Sequence, residues 1–130
     1  MINLELGKSK EDYLKAVLIL QKRMSIVRSV DLAQYMGYSK ASISHAVGEL
    51  RRRGLLKVDE NLHLHLTEMG NKVANKINER HRIFTDILMD IGVSPEQADY
   101  DACEIEHVVS DESFQKLCEF LEVNKIRKVM

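Results

Sequence analysis

The chain has 130 residues, of which 45% are hydrophobic and 30% charged, as in an ordinary globular domain. One proline, six scattered glycines and only short apolar runs argue against a disordered, collagen-like or membrane-spanning chain. The net charge of −1 conceals an asymmetry, since residues 1–58 hold eleven Lys and Arg against five Asp and Glu, a net +6. This excess predicts that the first half binds a polyanion, although a solvated surface with segregated charges is the alternative.

Helical periodicity in the first half predicts three helices, at about residues 9–24, 29–36 and 39–53. Residues 55–59 and 62–66 alternate apolar and polar, so they are expected to form a two-stranded hairpin. The residues expected to face the core are Tyr13, Leu14, Val17, Leu18, Leu32, Ala33, Met36, Ile43, Val47 and Leu50.

The second half is predicted to be helical throughout. A long helix follows Thr67 and runs to about Ile91, with Val73, Ile77, Phe84, Leu88 and Ile91 as its apolar stripe. Ser94, with a proline after it, and Ser110 begin two further helices. The order of elements predicts a mainly α protein, with a winged helix-turn-helix in residues 1–70 and a helical domain in residues 71–130.

The predicted DNA-binding residues lie on the third helix and the first wing strand. In a helix-turn-helix this helix enters the major groove, where short polar side chains allow close approach to the bases. Arginines at the helix end would add salt-dependent attraction to phosphates, although a cation-rich helix C-terminus is also their ordinary structural role. The predicted set is Ser39, Lys40, Ala41, Ser42, Ser44, His45, Arg51, Arg52, Arg53 and Lys57.

The strongest chemical pattern is the run from Cys103 to His107. On a helix, Cys103, Glu106 and His107 project from one face, and a thiolate, a carboxylate and an imidazole suit a transition metal. His81 lies in the apolar stripe of the long helix and points inward. The residues alone leave open a structural reading, in which Cys103 lies at the core edge and His81 is a core histidine. His63 and His65 have the spacing of wing residues facing solvent, which is favoured over metal ligation.

These motifs resemble the diphtheria-toxin-repressor family of iron- and manganese-dependent regulators. The resemblance covers residues 9–123 and is most specific in the C-x-x-E-H-x-x-S-D-E run that begins at Cys103. It implies a homodimer that binds double-stranded operator DNA, with helical dimerisation and metal binding in the second half. A cytoplasmic location is expected from the two cysteines and the absence of an export signal. The chain is similar to the shorter members, which lack the C-terminal SH3-like domain. No membrane partner and no enzymatic activity are expected.

The resemblance also implies a ligand set. Asp12 matches a first-helix ligand of manganese-type members, although an Asp near a helix start also favours the helix dipole. His81, Glu106 and His107 match family ligands, and Cys103 stands where iron-type members have cysteine. The implied metal site lies between the first helix and the dimerisation domain.

Two further features bear on the expected metal. Lys15 occupies the position of a manganese-type glutamate ligand, which predicts a single ion per subunit unless Lys15 simply turns to solvent. Thr85 and Asp99 stand where an ancillary site has Glu and His, so that site is expected to be incomplete. Sulfur with imidazole and carboxylate favours Fe(II), with Mn(II) next and Zn(II), Co(II) or Ni(II) binding in vitro.

The alternative function is a metal-independent winged-helix regulator that responds to a small molecule or a protein.

Overall fold

The computed structural model describes residues 7–129, with side chains described to residue 124. The elements in chain order are α1 (Gly7–Arg23), α2 (Ser29–Met36), α3 (Lys40–Arg52), β1 (Leu56–Val58), β2 (Leu64–Leu66), α4 (Glu68–Asp90), α5 (Pro95–Ile105) and α6 (Asp111–Val129). This is the predicted mainly α fold, with every expected element in its expected order. No described helix is both long enough and apolar enough to cross a membrane.

The chain forms two compact units, Ile2–Glu79 and Arg80–Met130, which we call the winged unit and the helical unit. The division falls within α4, after Glu79. The domain boundary predicted after residue 70 stays a prediction.

Helices α3 and α5 begin directly after the serine residues that the sequence predicts as their N-caps. The hydroxyl of Ser39 accepts a hydrogen bond from the backbone amide of Ser42, and that of Ser94 accepts one from the amide of Gln97. Each cap satisfies an amide that the first helical turn leaves without a partner. The first helix differs slightly from expectation, since it begins at Gly7 rather than near Ser9.

The winged unit is built around one hydrophobic core. Its largest fully buried side chains come from α1, α2, α3 and the hairpin, and include Leu14, Leu32, Ile43, Leu50 and Leu64. The first part of α4 adds residues 73, 74 and 77 to the same cluster. The amphipathic patterns of the first half are therefore explained by burial against this core.

Helix α4 begins in close contact with the short loop between α3 and β1. Thr67 caps the helix by accepting a hydrogen bond from the amide of Gly70, and its hydroxyl donates to the carbonyl of Gly54. A Cβ atom added at Gly70 would lie 1.9 Å from the carbonyl oxygen of Leu55. The approach of these two backbones therefore requires glycine at position 70.

The hairpin, or wing, pairs Leu56 with Leu66 and Val58 with Leu64 in antiparallel register. Its turn is organised by Asp59, whose Oδ1 accepts hydrogen bonds from the amides of Asn61 and His63. Leu62 completes the turn with a φ of 63°, a conformation that costs a leucine energy.

Histidines on the wing contact the same aspartate. The Nε2 of His65 lies 2.8 Å from Oδ2 of Asp59, and the Nδ1 of His63 lies 3.6 Å from it. Both histidines are only partly exposed, with His63 the more covered of the two. The hydrogen bond from His65 and the backbone amides lower the pKa of Asp59 to about 2.

We expect the carboxyl group of Asp59 to titrate with a midpoint near its lowered pKa, which a ¹³C NMR titration would measure directly. Because the folded-state pKa lies below the usual 3.8, the stabilisation is complete above that value and is lost as pH falls through about 2. Asp59→Asn should therefore lower the unfolding midpoint at pH 6, and the deficit should shrink in acid. Glu60→Gln is the matched control on the same turn, and an Asp59→Asn deficit that is constant with pH would contradict the prediction.

The helical unit is held together around Arg80, which is 6% exposed. Its guanidinium donates to the carbonyls of Glu106 and Val109 and lies 2.6 Å from a carboxylate oxygen of Asp111. The Cζ atom of Arg80 also lies 5.1 Å from the centre of the Phe114 ring. One side chain thus joins α4 to the end of α5, to the following loop and to the start of α6.

The inclusion of Ile91 in the predicted apolar stripe of α4 is wrong. Helix α4 ends at Asp90, and the chain turns through Gly92, whose φ is 105°. Ile91 is therefore outside the helical stripe and is 73% exposed.

Candidate metal centre and nucleic-acid interface

Helices α4 and α5 bring three of the predicted metal ligands together in the helical unit. The Nδ1 of His81 lies 2.9 Å from Oε2 of Glu106 and 3.7 Å from Sγ of Cys103. These donor atoms, one from each residue, all lie within 4.8 Å of one another. The helical spacing of Cys103 and Glu106 places both on the face of α5 that meets His81.

His107, the fourth predicted ligand of the helical unit, contacts the same glutamate. Its Nε2 lies 3.2 Å from Oε1 of Glu106, so the two oxygens of this carboxylate face two different imidazoles. Glu106 is 1% exposed, and a buried carboxylate requires such partners. The arrangement concentrates nitrogen, oxygen and sulfur donors around one buried residue.

The donor set fits a transition-metal ion. Metal–nitrogen and metal–sulfur bonds of about 2.1 and 2.3 Å at a tetrahedral angle separate the two ligand atoms by about 3.6 Å. The 3.7 Å between Nδ1 of His81 and Sγ of Cys103 agrees with that separation. Sulfur, imidazole and carboxylate together are the ligands of Fe, Co, Ni and Zn ions.

The structure places the remaining sequence-predicted residues as follows. Asp12 lies on α1 in the winged unit, where its carboxylate accepts a hydrogen bond from Lys8 at 2.7 Å, and its role as a ligand stays a prediction. Lys15 is 9% exposed, so the alternative in which it turns to solvent is wrong. The hydroxyl of Thr85 donates to the carbonyl of His81 within α4.

Sequence reasoning assigned no role to Asp99 beyond its place at an incomplete ancillary site. Its Oδ1 lies 2.8 Å from Nε2 of His81, so this imidazole is contacted at both nitrogens. The spacing of Asp99 and Cys103, four residues apart on one helix, is the signal that could have grouped them.

The candidate DNA-binding residues are exposed on the winged unit. Helix α3 buries Ile43, Val47 and Leu50 and turns its other side outward. All ten predicted residues are exposed: Ser39, Lys40, Ala41, Ser42, Ser44, His45, Arg51, Arg52, Arg53 and Lys57. Their accessibility agrees with a contact surface, although the individual contacts to DNA stay predictions.

The charged groups of this face are partly paired. Arg52 forms an ion pair with Glu49 one turn earlier, and this contact lowers the pKa of the Glu49 carboxyl. Arg51 lines a cavity of about 560 Å³ between α3, the start of α2 and the wing. Arg28 lines the same cavity, and sequence analysis missed it because it lies just before a helix rather than in a basic run.

A winged helix-turn-helix with an exposed basic face, followed by a helical unit with a transition-metal donor set, is the combination expected of metal-responsive DNA-binding regulators. The comparisons with known proteins agree with this class. Residues 5–64 match the model of the iron dependent repressor N-terminal DNA binding domain. Residues 67–126 match that of the iron dependent repressor metal binding and dimerisation domain. The chain therefore belongs to the iron-dependent repressor family, whose members are DNA-binding repressors rather than enzymes.

The individual similar proteins include regulators named for iron and for manganese. The chain is 34% identical over 103 residues to the transcriptional regulator MntR of Escherichia coli O6:H1, covering 79% of this chain and 66% of that protein. It is 31% identical over 118 residues to the iron-dependent repressor IdeR of Mycobacterium tuberculosis, covering 90% of this chain and 51% of that protein. The solved structure of the manganese regulator SloR superposes on this chain with a TM-score of 0.78 at 29% identity. The match covers 87% of this chain and 53% of that protein. The chain thus spans between about half and two-thirds of these proteins.

Proposed function

We propose that this protein is a metal-dependent transcriptional repressor that binds operator DNA as a homodimer in the cytoplasm. The observation that carries the proposal is the convergence of His81, Cys103 and Glu106 in the helical unit of a winged-helix protein. Membership of a family with both a DNA-binding and a metal-binding model supports the same function.

The side chains of the helical unit would hold the ion. His81, Cys103, Glu106 and His107 are the proposed ligands there, with Asp12 of α1 as a further one. A divalent ion supplies positive charge that offsets the buried carboxylate and the thiolate. Glu106 is the central residue of this set, because both of its oxygens already face ligand nitrogens.

Fe(II) is the proposed physiological ion, with Mn(II) as the second candidate. The thiolate of Cys103 favours a softer ion than Mn(II), whereas the similar proteins include regulators named for iron and for manganese. Affinity in vitro rises toward Zn(II) and Cu(II) for most such sites, so physiological choice depends on availability as well as on ligands. We further propose one ion per subunit, because Lys15 replaces an acidic ligand.

The homodimer is supported by apolar side chains left on the surface of the helical unit. Ile91, Tyr100, Val108 and Phe120 are each more than 60% exposed. Exposed apolar surface of this kind commonly marks a protein interface. Two copies of α3 in such a dimer would contact successive major grooves about 34 Å apart on one face of the duplex.

Fluorescence anisotropy with DNA from upstream of the protein's own gene tests the proposal. Under anaerobic conditions, adding Fe(II) or Mn(II) after EDTA should tighten binding about 5- to 150-fold, the usual range of coupling between two sites. Cys103→Ala and His107→Ala should lose most of this tightening because each removes a ligand.

The chain offers a matched control for the cysteine variant. Cys118 lies on α6, outside the described donor cluster, so Cys118→Ala should respond to metal as the wild type does. Tight DNA binding that is indifferent to EDTA and to every ion would favour the metal-independent regulator. No saturable binding with or without metal would contradict both functions.

A further inference from the structure

The imidazole of His81 is held from both sides within the helical unit. Its Nδ1 faces Glu106 and Cys103, at 2.9 and 3.7 Å. Its Nε2 faces Asp99, at 2.8 Å. The two ring nitrogens therefore have different environments, since one meets the donor cluster and the other meets a carboxylate outside the cluster.

We propose that Asp99 is a positioning residue for the metal centre. A neutral imidazole carries one N–H, and only the nitrogen without that hydrogen can donate its lone pair to an ion. By accepting the Nε2–H of His81, Asp99 holds the tautomer whose free lone pair is on Nδ1, beside Cys103 and Glu106. This inference rests on the proposed metal-dependent function and assigns a role to a residue outside its ligand set.

The local structure explains why Asp99 serves this role rather than that of a ligand. Asp99 and Cys103 are four residues apart on α5, so both project toward His81. The Asp99 side chain is 66% exposed, whereas that of His81 is 18% exposed, so the carboxylate reaches the ring from the solvent side. A carboxylate on the solvent side accepts this hydrogen bond without the desolvation cost of a buried one.

The hydrogen bond also restricts the orientation of the ring. Because Nε2 of His81 is hydrogen-bonded to Asp99 on α5, rotation of the imidazole would break this contact. Partners of this kind fix ligand orientation, and removing them typically weakens metal binding 10- to 100-fold. Loss of Asp99 should therefore weaken metal binding without removing any ligand.

Anaerobic titration of the full chain with Co(II) in competition with a chelator measures this effect. Asp99→Ala should weaken Co(II) binding about 10- to 100-fold. Asp99→Asn should remain close to wild type, within about threefold, because its amide oxygen still accepts the hydrogen bond from Nε2.

Asp101→Ala is the matched control on the same helix. The carboxylate of Asp101 accepts a hydrogen bond from the side chain of Gln97 at 2.9 Å. This variant removes the same charge from α5 and should bind Co(II) like the wild type. The thiolate-to-Co(II) charge-transfer band should survive in every variant at saturation, since Cys103 is unchanged.

Long-range ¹H–¹⁵N correlation of the Zn(II)-loaded protein identifies the tautomer directly. Wild type and Asp99→Asn should show His81 protonated at Nε2 alone. The assignment is overturned if Asp99→Ala binds Co(II) like Asp101→Ala, if Asp99→Asn is as weak as Asp99→Ala, or if Nδ1 carries the proton. Wild-type protein that binds neither ion would overturn the proposed function itself, and this assignment with it.

Discussion

Replacing Arg80 by alanine is expected to destabilise the helical unit by about 2–4 kcal/mol, slightly below the range for breaking a fully buried ion pair. The expected loss of stability is smaller than for a fully buried pair because Asp111, the ionic partner, is about one-third exposed. The variant would also leave the carbonyl oxygens of Glu106 and Val109 without this donor. Chemical denaturation followed by far-ultraviolet circular dichroism measures the change in free energy of unfolding.

Arg82, two residues later on the same helix, is exposed and provides the control. Arg82→Ala should change the free energy of unfolding by no more than about 0.5 kcal/mol, as exposed substitutions usually do. Arg80→Lys should lie between wild type and Arg80→Ala, because an ammonium keeps the charge but cannot reach three acceptors as a planar guanidinium does. Equal stability of Arg80→Ala and Arg82→Ala would contradict the role assigned to Arg80.

Gly70→Ala is the second substitution with a large expected effect. The new Cβ would lie 1.9 Å from the backbone oxygen of Leu55, so the start of α4 or the beginning of the wing must move. Overpacking typically costs about 1–3 kcal/mol of stability. A clash of the new Cβ atom with a backbone oxygen is expected at the upper end of this range. Part of this cost is offset because alanine is favoured over glycine in helices by about 1 kcal/mol.

Gly48→Ala is the matched control for this prediction. Gly48 lies within α3, and its added Cβ would meet only the tip of the Arg52 side chain, at 3.7 Å. This variant should be more stable than wild type by about 0.5–1 kcal/mol, the helix propensity gain alone. Unfolding midpoints of the two alanine variants should therefore shift in opposite directions, and a stabilised Gly70→Ala would contradict the proposed close contact.

The elements of this fold could be predicted because their signals are local. A serine cap such as Ser39 or Ser94 satisfies an amide within the same turn, and strand alternation shows directly in neighbouring residues. The inclusion of Ile91 in the stripe of α4 was wrong for a related reason. Its apolar spacing continues the stripe of α4, but the turn at Gly92 ends the helix before that residue.

The candidate metal centre was predictable only in part. The spacing of Cys103 and Glu106 places both on one helical face, which periodicity alone indicates. The distance from either residue to His81 depends on the packing of α4 against α5, which no local pattern specifies. The contact of Asp99 with His81 and that of Arg80 with Glu106 also depend on this packing. The partners are 18 and 26 positions apart in the chain, so no local pattern predicts that they meet.

Two consecutive residues of α4 contact Glu106, the residue that caps the end of α5. Arg80 reaches the main-chain carbonyl of Glu106, at 3.4 Å, while His81 reaches its side chain, at 2.9 Å. The glutamate is therefore tied at both its backbone and its carboxylate, which makes this part of the centre stiff. Stiff ligand frames discriminate between cations by radius, because an ion that needs longer bonds must displace the frame. A helix end anchored in this way would make ionic size, in addition to ligand softness, a determinant of which metal the protein accepts.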